Sequence, residues 1–187
     1  MFLGTRGSRL VLLKHANGRV AQPLGEGGAS FTVSFKYDPF GKRIEKISPA
    51  ATSIFAYDGD PYDDDDLVEV VNSSGGLVAR YSQGQNIDEP LAMQQGGTTD
   101  YYEADGLGSI TSLTATNGSL AQSYAYDSFG NSTNSTGSVT NFFRYAAREF
   151  DTEAGLYYYR ARYYDPASGR FASEDPLGSN AGGWASL

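Results

Sequence analysis

The chain has 187 residues, 22 acidic against 14 basic side chains, a formal net charge of −8, no cysteine and a single histidine. Without cysteine there can be no disulfide, thiolate metal site or cysteine nucleophile, and a Ser-His-Asp triad would have to use His15, in a polar, glycine-flanked segment. The acidic balance offers no broad basic surface to a phosphate backbone, so nucleic-acid binding is not expected, and no apolar run is long enough to span a bilayer.

In chain order, residues 1–30 carry little strand pattern and several glycines (Gly18, Gly25, Gly27, Gly28), and are expected to be a poorly ordered lead-in. The apolar run Leu10 to Leu13 is too short for the core of a secretion signal, so no signal peptide is visible. At Tyr37-Asp38-Pro39-Phe40-Gly41 a pattern begins that returns as Tyr126-Asp127-Ser128-Phe129-Gly130, with shorter echoes at Tyr57-Asp58-Gly59 and Tyr164-Asp165-Pro166. Each reads as a strand closed by a turn: aspartate bonds nearby backbone N–H groups, proline fixes φ, and glycine takes the left-handed conformation. The run Asp63 to Asp66 lacks the spacing of a calcium loop and reads as solvated charge. Asn72-Ser73-Ser74-Gly75-Gly76 and Asn117-Gly118 separate apolar stretches and predict hairpin turns. Gly106-Leu107-Gly108-Ser109 has neither the lysine nor the following helix of a phosphate loop. Arg144, Arg148 and Glu149 are expected to pair on a strand surface. From Leu156 to Tyr164, alternation predicts one strand with Leu156, Tyr158, Arg160, Arg162 and Tyr164 on one face and Tyr157, Tyr159, Ala161 and Tyr163 on the other.

Tyr37, Tyr57, Tyr81, Tyr102, Tyr126, Tyr145 and Tyr164 follow one another at about twenty-residue intervals, the length of two short strands and two turns. The predicted fold is all-β: successive antiparallel β-hairpins forming a curved open sheet, in which neighbouring units cover one another's apolar faces and strand edges stay exposed.

These repeats, together with EADGLGSITSLT and NFFRYAAREFDTEAGLYYYRARYYDPASGRFASEDPLG, closely resemble the RHS-repeat (YD-repeat) proteins and their RHS-repeat-associated core over roughly residues 31 to 178. The resemblance implies a division into YD hairpin repeats at 31–145, the associated core at 146–178, and an atypical tail at 179–187. It implies an RHS-type β-shell that in bacterial relatives encloses a C-terminal toxin and in animal relatives serves adhesion. It also implies that the core can act as an aspartyl autoprotease freeing the cargo, with Asp175 of Asp175-Pro176-Leu177-Gly178 and Arg162 as its residues here. Two carboxylates in proximity share a proton, one serving as base toward water and the other as acid toward the amide. A second D-P-x-G is absent before Leu187, and Asp165 belongs to a YD turn. The chain is therefore expected to be a cut-off shell fragment holding half a cleavage site, without activity of its own.

Its expected partners are the remaining shell repeats or a toxin cargo, and its expected place is outside the cell or on its surface. No cofactor or metal is expected. Two other readings are weighed: part of the autoprotease, and a carbohydrate- or protein-binding module that would stack glycans on Tyr157 and Tyr159.

Overall fold

The computed structural model describes residues 4–6, 9–11, 19–22, 31–59 and 66–174. Beyond a short pair β1 (Gly4–Arg6) and β2 (Arg9–Val11), eleven strands make one open antiparallel sheet in which sequence neighbours are sheet neighbours. They are β3 (Arg19–Gln22), β4 (Phe31–Tyr37), β5 (Arg43–Ile47), β6 (Thr52–Tyr57), β7 (Leu67–Asn72), β8 (Leu77–Gln83), β9 (Pro90–Gln95), β10 (Thr98–Ala104), β11 (Ile110–Ala115), β12 (Leu120–Tyr126) and β13 (Ser132–Gly137). The sheet thus reaches back beyond residue 31 to β3, inside the segment expected as a lead-in. A second, four-stranded antiparallel sheet follows: β14 (Glu149–Asp151), β15 (Leu156–Tyr159), β16 (Arg162–Asp165) and β17 (Arg170–Phe171).

The YD motifs at Asp38 and Asp127, and the related turn at Asp105, are five-residue turns built the same way. Asp38 Oδ1 accepts from the backbone N–H of Phe40 and Lys42, Asp105 Oδ1 from Leu107 and Ser109, and Asp127 Oδ1 from Phe129 and Asn131, all at 2.8–3.0 Å. The fourth residue is always glycine at positive φ (Gly41 86°, Gly108 78°, Gly130 85°), where an L side chain would be strained. Its N–H returns to the aspartate carbonyl. Asn72 plays the aspartate's part in the predicted turn at 72–76, with Gly75 at 81°. Gly108, considered above as a phosphate loop and set aside, is one of these turn glycines.

The twenty-residue period hides two registers. Tyr37, Tyr57 and Tyr126 end their strands directly before an aspartate, whereas Tyr81 and Tyr102 stand two residues inside β8 and β10. The inner position forms a separate aromatic row, Phe35, Phe55, Tyr81, Tyr102 and Tyr124, along the core face. Tyr145, treated as another repeat tyrosine, lies in a 3₁₀ turn (Tyr145–Ala147) whose Ala146 and Ala147 have φ near +50°.

The reading of 156–164 as one alternating strand is corrected. The chain reverses at Arg160 (φ 55°), and β15 pairs with β16 so that Tyr158 faces Tyr163 and Tyr157 faces Tyr164. A hairpin inserts a turn into the alternation, so Tyr158 and Tyr164 fall on opposite faces. No glycine or proline marks this turn in the sequence.

One core lies between the large sheet and the segment that crosses its face. Phe55, Leu67, Val70, Ala79, Tyr81, Met93, Ile110, Leu113 and Tyr124 meet Phe143, with Tyr81 and Tyr102 both edge-on to its ring. Val33 and Phe35 pack on Ala154, Leu156, Tyr158 and Tyr163 of the small sheet. At about 25 cal/mol per Å² of apolar area, these contacts outweigh anything on the other face of the large sheet, where cross-strand pairs such as Lys36–Glu45 and Glu69–Arg80 meet water. The small sheet covers the β4–β5 end, and β13, fully exposed, is left as a polar edge.

Candidate functional site

The strongest chemical feature is a cluster of charges between the two sheets. Arg43, the first residue of β5, has no exposed surface. One of its Nη atoms donates to Asp151 Oδ2 at 2.5 Å and the other to Glu149, the two carboxylates standing at i and i+2 on the same face of β14. Lys46, three residues further along β5 past the bulge against Lys36 and Tyr37, contacts Asp151 Oδ1 at 3.2 Å and Glu153 at 3.1 Å. Two cations therefore meet three carboxylates.

Aromatic rings close the cluster. The guanidinium carbon of Arg43 lies 4.3 Å from the ring centroid of Tyr158, 4.6 Å from Phe55 and 5.4 Å from Phe35. Its backbone is held as firmly as its side chain: the N–H donates to Tyr158 Oη at 3.0 Å and the carbonyl accepts from Tyr57 Oη at 2.9 Å. Tyr37 Oη and Tyr163 Oη meet 3.1 Å apart beside it. Cation–π contacts of this kind gain strength when desolvated.

Burial and charge pull against each other here. Burial acts to lower the Arg43 pKa, but Asp151 and Glu149 outweigh it and hold the guanidinium more firmly protonated than usual. Burial raises the pKa of Glu149, and Arg43 does not fully offset that because Asp151 repels the same charge. With Arg43 and Asp151 sealed from solvent and Glu149 nearly so, no substrate reaches the two carboxylates that hold Arg43. Their chemistry is to lock one sheet to the other.

A second tie involves a loop of the large sheet. Asp88, between β8 and β9, pairs with Arg148 at 2.6 Å and Arg160 at 3.1 Å, and Arg148 lies over the Tyr159 ring. The expected pairing of Arg144, Arg148 and Glu149 on a strand surface is thus corrected. Glu149 is buried with Arg43, Arg148 meets Asp88, and Arg144 lies over the rings of Tyr124 and Phe150. Glu149 and Arg148 thus meet counter-charges on segments distant in sequence, and Arg144 meets aromatic rings.

The YD residues build the frame of this site. Tyr126 Oη donates to the carbonyl of Ile110 as Tyr57 does to that of Arg43: the last residue of one strand bonds the first residue of the strand before. Gln83 repeats the bond to Leu67, in the place where tyrosine spacing had suggested Tyr81. Asp58 closes its loop by a backbone bond to Asp66. Tyr164 Oη donates to the Phe129 carbonyl, and Asp165 caps Ala167 and Ser168. Arg162 stands at the start of β16 with its guanidinium 3.9 Å from the Phe171 ring centroid. Asp175, the tail from residue 179, His15 and the aspartate run from 63 to 65 lie outside the described residues. Tyr157, offered above as a glycan platform, is buried and donates to the Gly130 carbonyl, so its ring is closed to a sugar.

Arg43, Lys46, Asp151 and Glu153 were missed by sequence reasoning. The available signal was the alternation of acids in REFDTE, Glu149 and Asp151 with Phe150 between, inside an otherwise aromatic stretch. Among the described residues no group of histidine, cysteine or carboxylates is placed to hold a metal ion.

Comparison with known proteins matches this architecture. The Teneurin YD-shell family model covers residues 26–181. The chain is 31% identical over 146 residues to the tRNA3(Ser)-specific nuclease WapA of Bacillus spizizenii, covering 76% of this chain and 6% of that protein. It is 30% identical over 158 residues to the probable deoxyribonuclease RhsB of Dickeya dadantii, covering 79% and 11%. Among solved structures, TcdB2-TccC3 shares the fold with a TM-score of 0.64 at 19% identity, covering 93% of this chain and 10% of that one. The chain therefore spans only a small part of the length of these relatives.

Proposed function

The chain belongs to the Teneurin YD-shell family of RHS/YD-repeat proteins, and from that premise we propose that it serves as a stretch of shell wall with its own sealing layer, around a C-terminal toxin as in the family's bacterial members. Membership makes it part of an RHS shell; enclosure of cargo, and the absence of any activity in this stretch, are the proposal. The observation that carries it is the buried Arg43–Glu149–Asp151 lock, which fixes the small sheet across the face of the YD sheet and keeps its two carboxylates from a substrate. The same acidic chain that repels nucleic acid would suit a container for a nuclease rather than the nuclease itself. Export to the cell surface or beyond belongs to this proposal and rests on the family resemblance; among the described residues no helix is long and apolar enough to cross a membrane.

The test is limited proteolysis with intact-mass analysis of the purified chain, beside assays on tRNA and duplex DNA. A single resistant fragment holding both sheets, with neither nucleic acid degraded, is the expected result. Early cleavage between β13 and β14 that releases the small sheet, or nuclease activity, would overturn the wall reading.

The autoprotease is a second reading, with Arg162 and Asp175 as its half site. The position of Arg162 on a β-hairpin that ends four residues before Asp175 favours it. In a chain extended to carry a second D-P-x-G, spontaneous cleavage near Gly178, abolished in Arg162→Ala and in Asp175→Asn, would replace the wall-only account; an extended chain that stays uncut, or cleavage that survives both substitutions, would dispose of it.

A further inference from the structure

The charge cluster that locks the sheets also sets a primary amine against a carboxyl group, away from water. Lys46 is the one buried lysine among the described residues, 4% exposed, whereas Lys36 pairs with Glu45 in solvent. Its Nζ stands 3.2 Å from Oδ1 of Asp151, which has no exposed surface, and 3.1 Å from Oε2 of Glu153. The Phe142 ring lies over the same Nζ, 5.3 Å to its centroid. Among the described residues Asp151 Oδ1 accepts no hydrogen bond, while Oδ2 accepts one from Arg43 Nη1 at 2.5 Å. An amine, a carboxyl group with one oxygen held by a fixed cation, and a second carboxylate beside the amine are the parts of an acyl transfer.

We propose that Lys46 and Asp151 condense into an intramolecular isopeptide bond, a covalent clasp between β5 and β14. Glu153 takes a proton from the Lys46 ammonium. The freed Nζ adds to Asp151 Cγ, where Arg43 stabilises the charge gathering on Oδ2. The N–C bond forms and the Cγ–Oδ1 bond breaks. Oδ1 leaves as water with the two protons the nitrogen has shed, the first of them returned by Glu153. One ammonium and one carboxylate thus become one amide and one water, with no oxidant and no net proton exchanged.

Two physical effects drive this exchange. Fixing the amine against the carboxyl group replaces an encounter in solution, and well-placed groups reach effective concentrations of about 10⁵–10⁸ M. Desolvation favours the product, because two buried ions are costlier to hold away from water than one neutral amide. The cluster has two cations for three carboxylates, and burial raises the pKa of Glu149. Condensation removes one charge of each sign and leaves Arg43 paired with Glu149. Lysine is the residue this chemistry needs, since a guanidinium stays protonated and is no nucleophile. The bond joins strands more than a hundred residues apart in a chain without cysteine, where a cross-link restricts the unfolded chain strongly. The clasp rests on the cluster alone and is independent of the cargo and wall readings.

The test is intact-mass spectrometry of the whole folded chain, with mapping of its proteolytic peptides. The wild type should weigh one water less than its sequence and yield a branched peptide joining Lys46 to Asp151. Lys46→Arg keeps the cation but cannot condense, and should show the full sequence mass. Glu153→Gln should link about a hundredfold more slowly after refolding from urea. A folded wild-type chain that keeps its full sequence mass through prolonged incubation would overturn the clasp. So would a loss of water that persists in Lys46→Arg, or that maps to an Asp-Gly pair as a cyclic imide. Linking at an unchanged rate in Glu153→Gln would overturn the role of Glu153 as base.

Discussion

Arg43 and Asp151 are 108 residues apart in sequence and 2.5 Å apart in the folded chain, both without exposed surface. Eight complete strands, β6 to β13, and the segment that crosses their face separate the two in sequence.

Breaking this pair from one side leaves a charge buried without its partner. Asp151→Ala should destabilise the chain by about 3–5 kcal/mol, read from urea unfolding. The double variant Arg43→Met with Asp151→Leu should recover a large part of that loss, because it removes the charges instead of stranding one. Equal stability of Asp151→Ala and wild type would mean the pair is open to water.

Glu149 should give this protein an unusual pH signature. Its folded pKa is raised by burial, and it is faced by Arg43, Lys46 and Asp151 and by the phenols of Tyr57, Tyr81 and Tyr158. A carboxyl with a raised folded pKa binds its proton more tightly when folded. Its contribution is fully present below the unfolded value, near 4.5, and is lost as pH rises through the folded pKa. The stability of wild type relative to Glu149→Gln should therefore fall as pH rises over that window. A flat or opposite difference across the window would refute it.

The tyrosine hydroxyls should divide by whether they are bonded. Tyr126→Phe removes a donor to the Ile110 carbonyl and should cost about 0.5–1.5 kcal/mol. The buried Tyr81 hydroxyl has no hydrogen-bond partner among the described residues, so Tyr81→Phe should be neutral or stabilising. Matched chemical denaturation of the two variants separates them.

Two glycines at positive φ should respond differently to alanine. Gly118 (φ 81°) has open space around it, so Gly118→Ala meets only backbone strain, about 1 kcal/mol. Gly169→Ala carries similar strain and must also displace Phe129. Its loss should exceed that of Gly118→Ala, and exchange at the 127–131 turn should quicken in that variant alone.

Much of the large sheet was legible because its information is local. Tyr-Asp at a strand end, glycine three residues later and Asn-Gly between apolar runs each specify a turn without help from distant residues. The lock was not legible for the converse reason. Arg43 and Lys46 look like solvated charges in KRIEK until residues more than a hundred positions away supply carboxylates and rings. Arg160-Ala161 hid a reversal because an arginine at positive φ carries no turn signature. Tyr81 and Tyr102 matched the period yet not the register, since spacing counts residues and cannot see which pleat a ring occupies.

The strict agreement between strand order and chain order has a bearing on how the molecule comes into being. Each strand from β4 to β13 finds its neighbour within a few residues, and tyrosine or glutamine side chains tie three strands to those immediately before them. Such a sheet can lengthen one hairpin at a time as the polypeptide leaves the ribosome, with little loop-closure entropy to overcome. The counter-charges of Arg43 emerge only with β14. The strands around Arg43 are thus assembled around an unpaired guanidinium, and β14 decides when that part of the growing sheet becomes a finished layer.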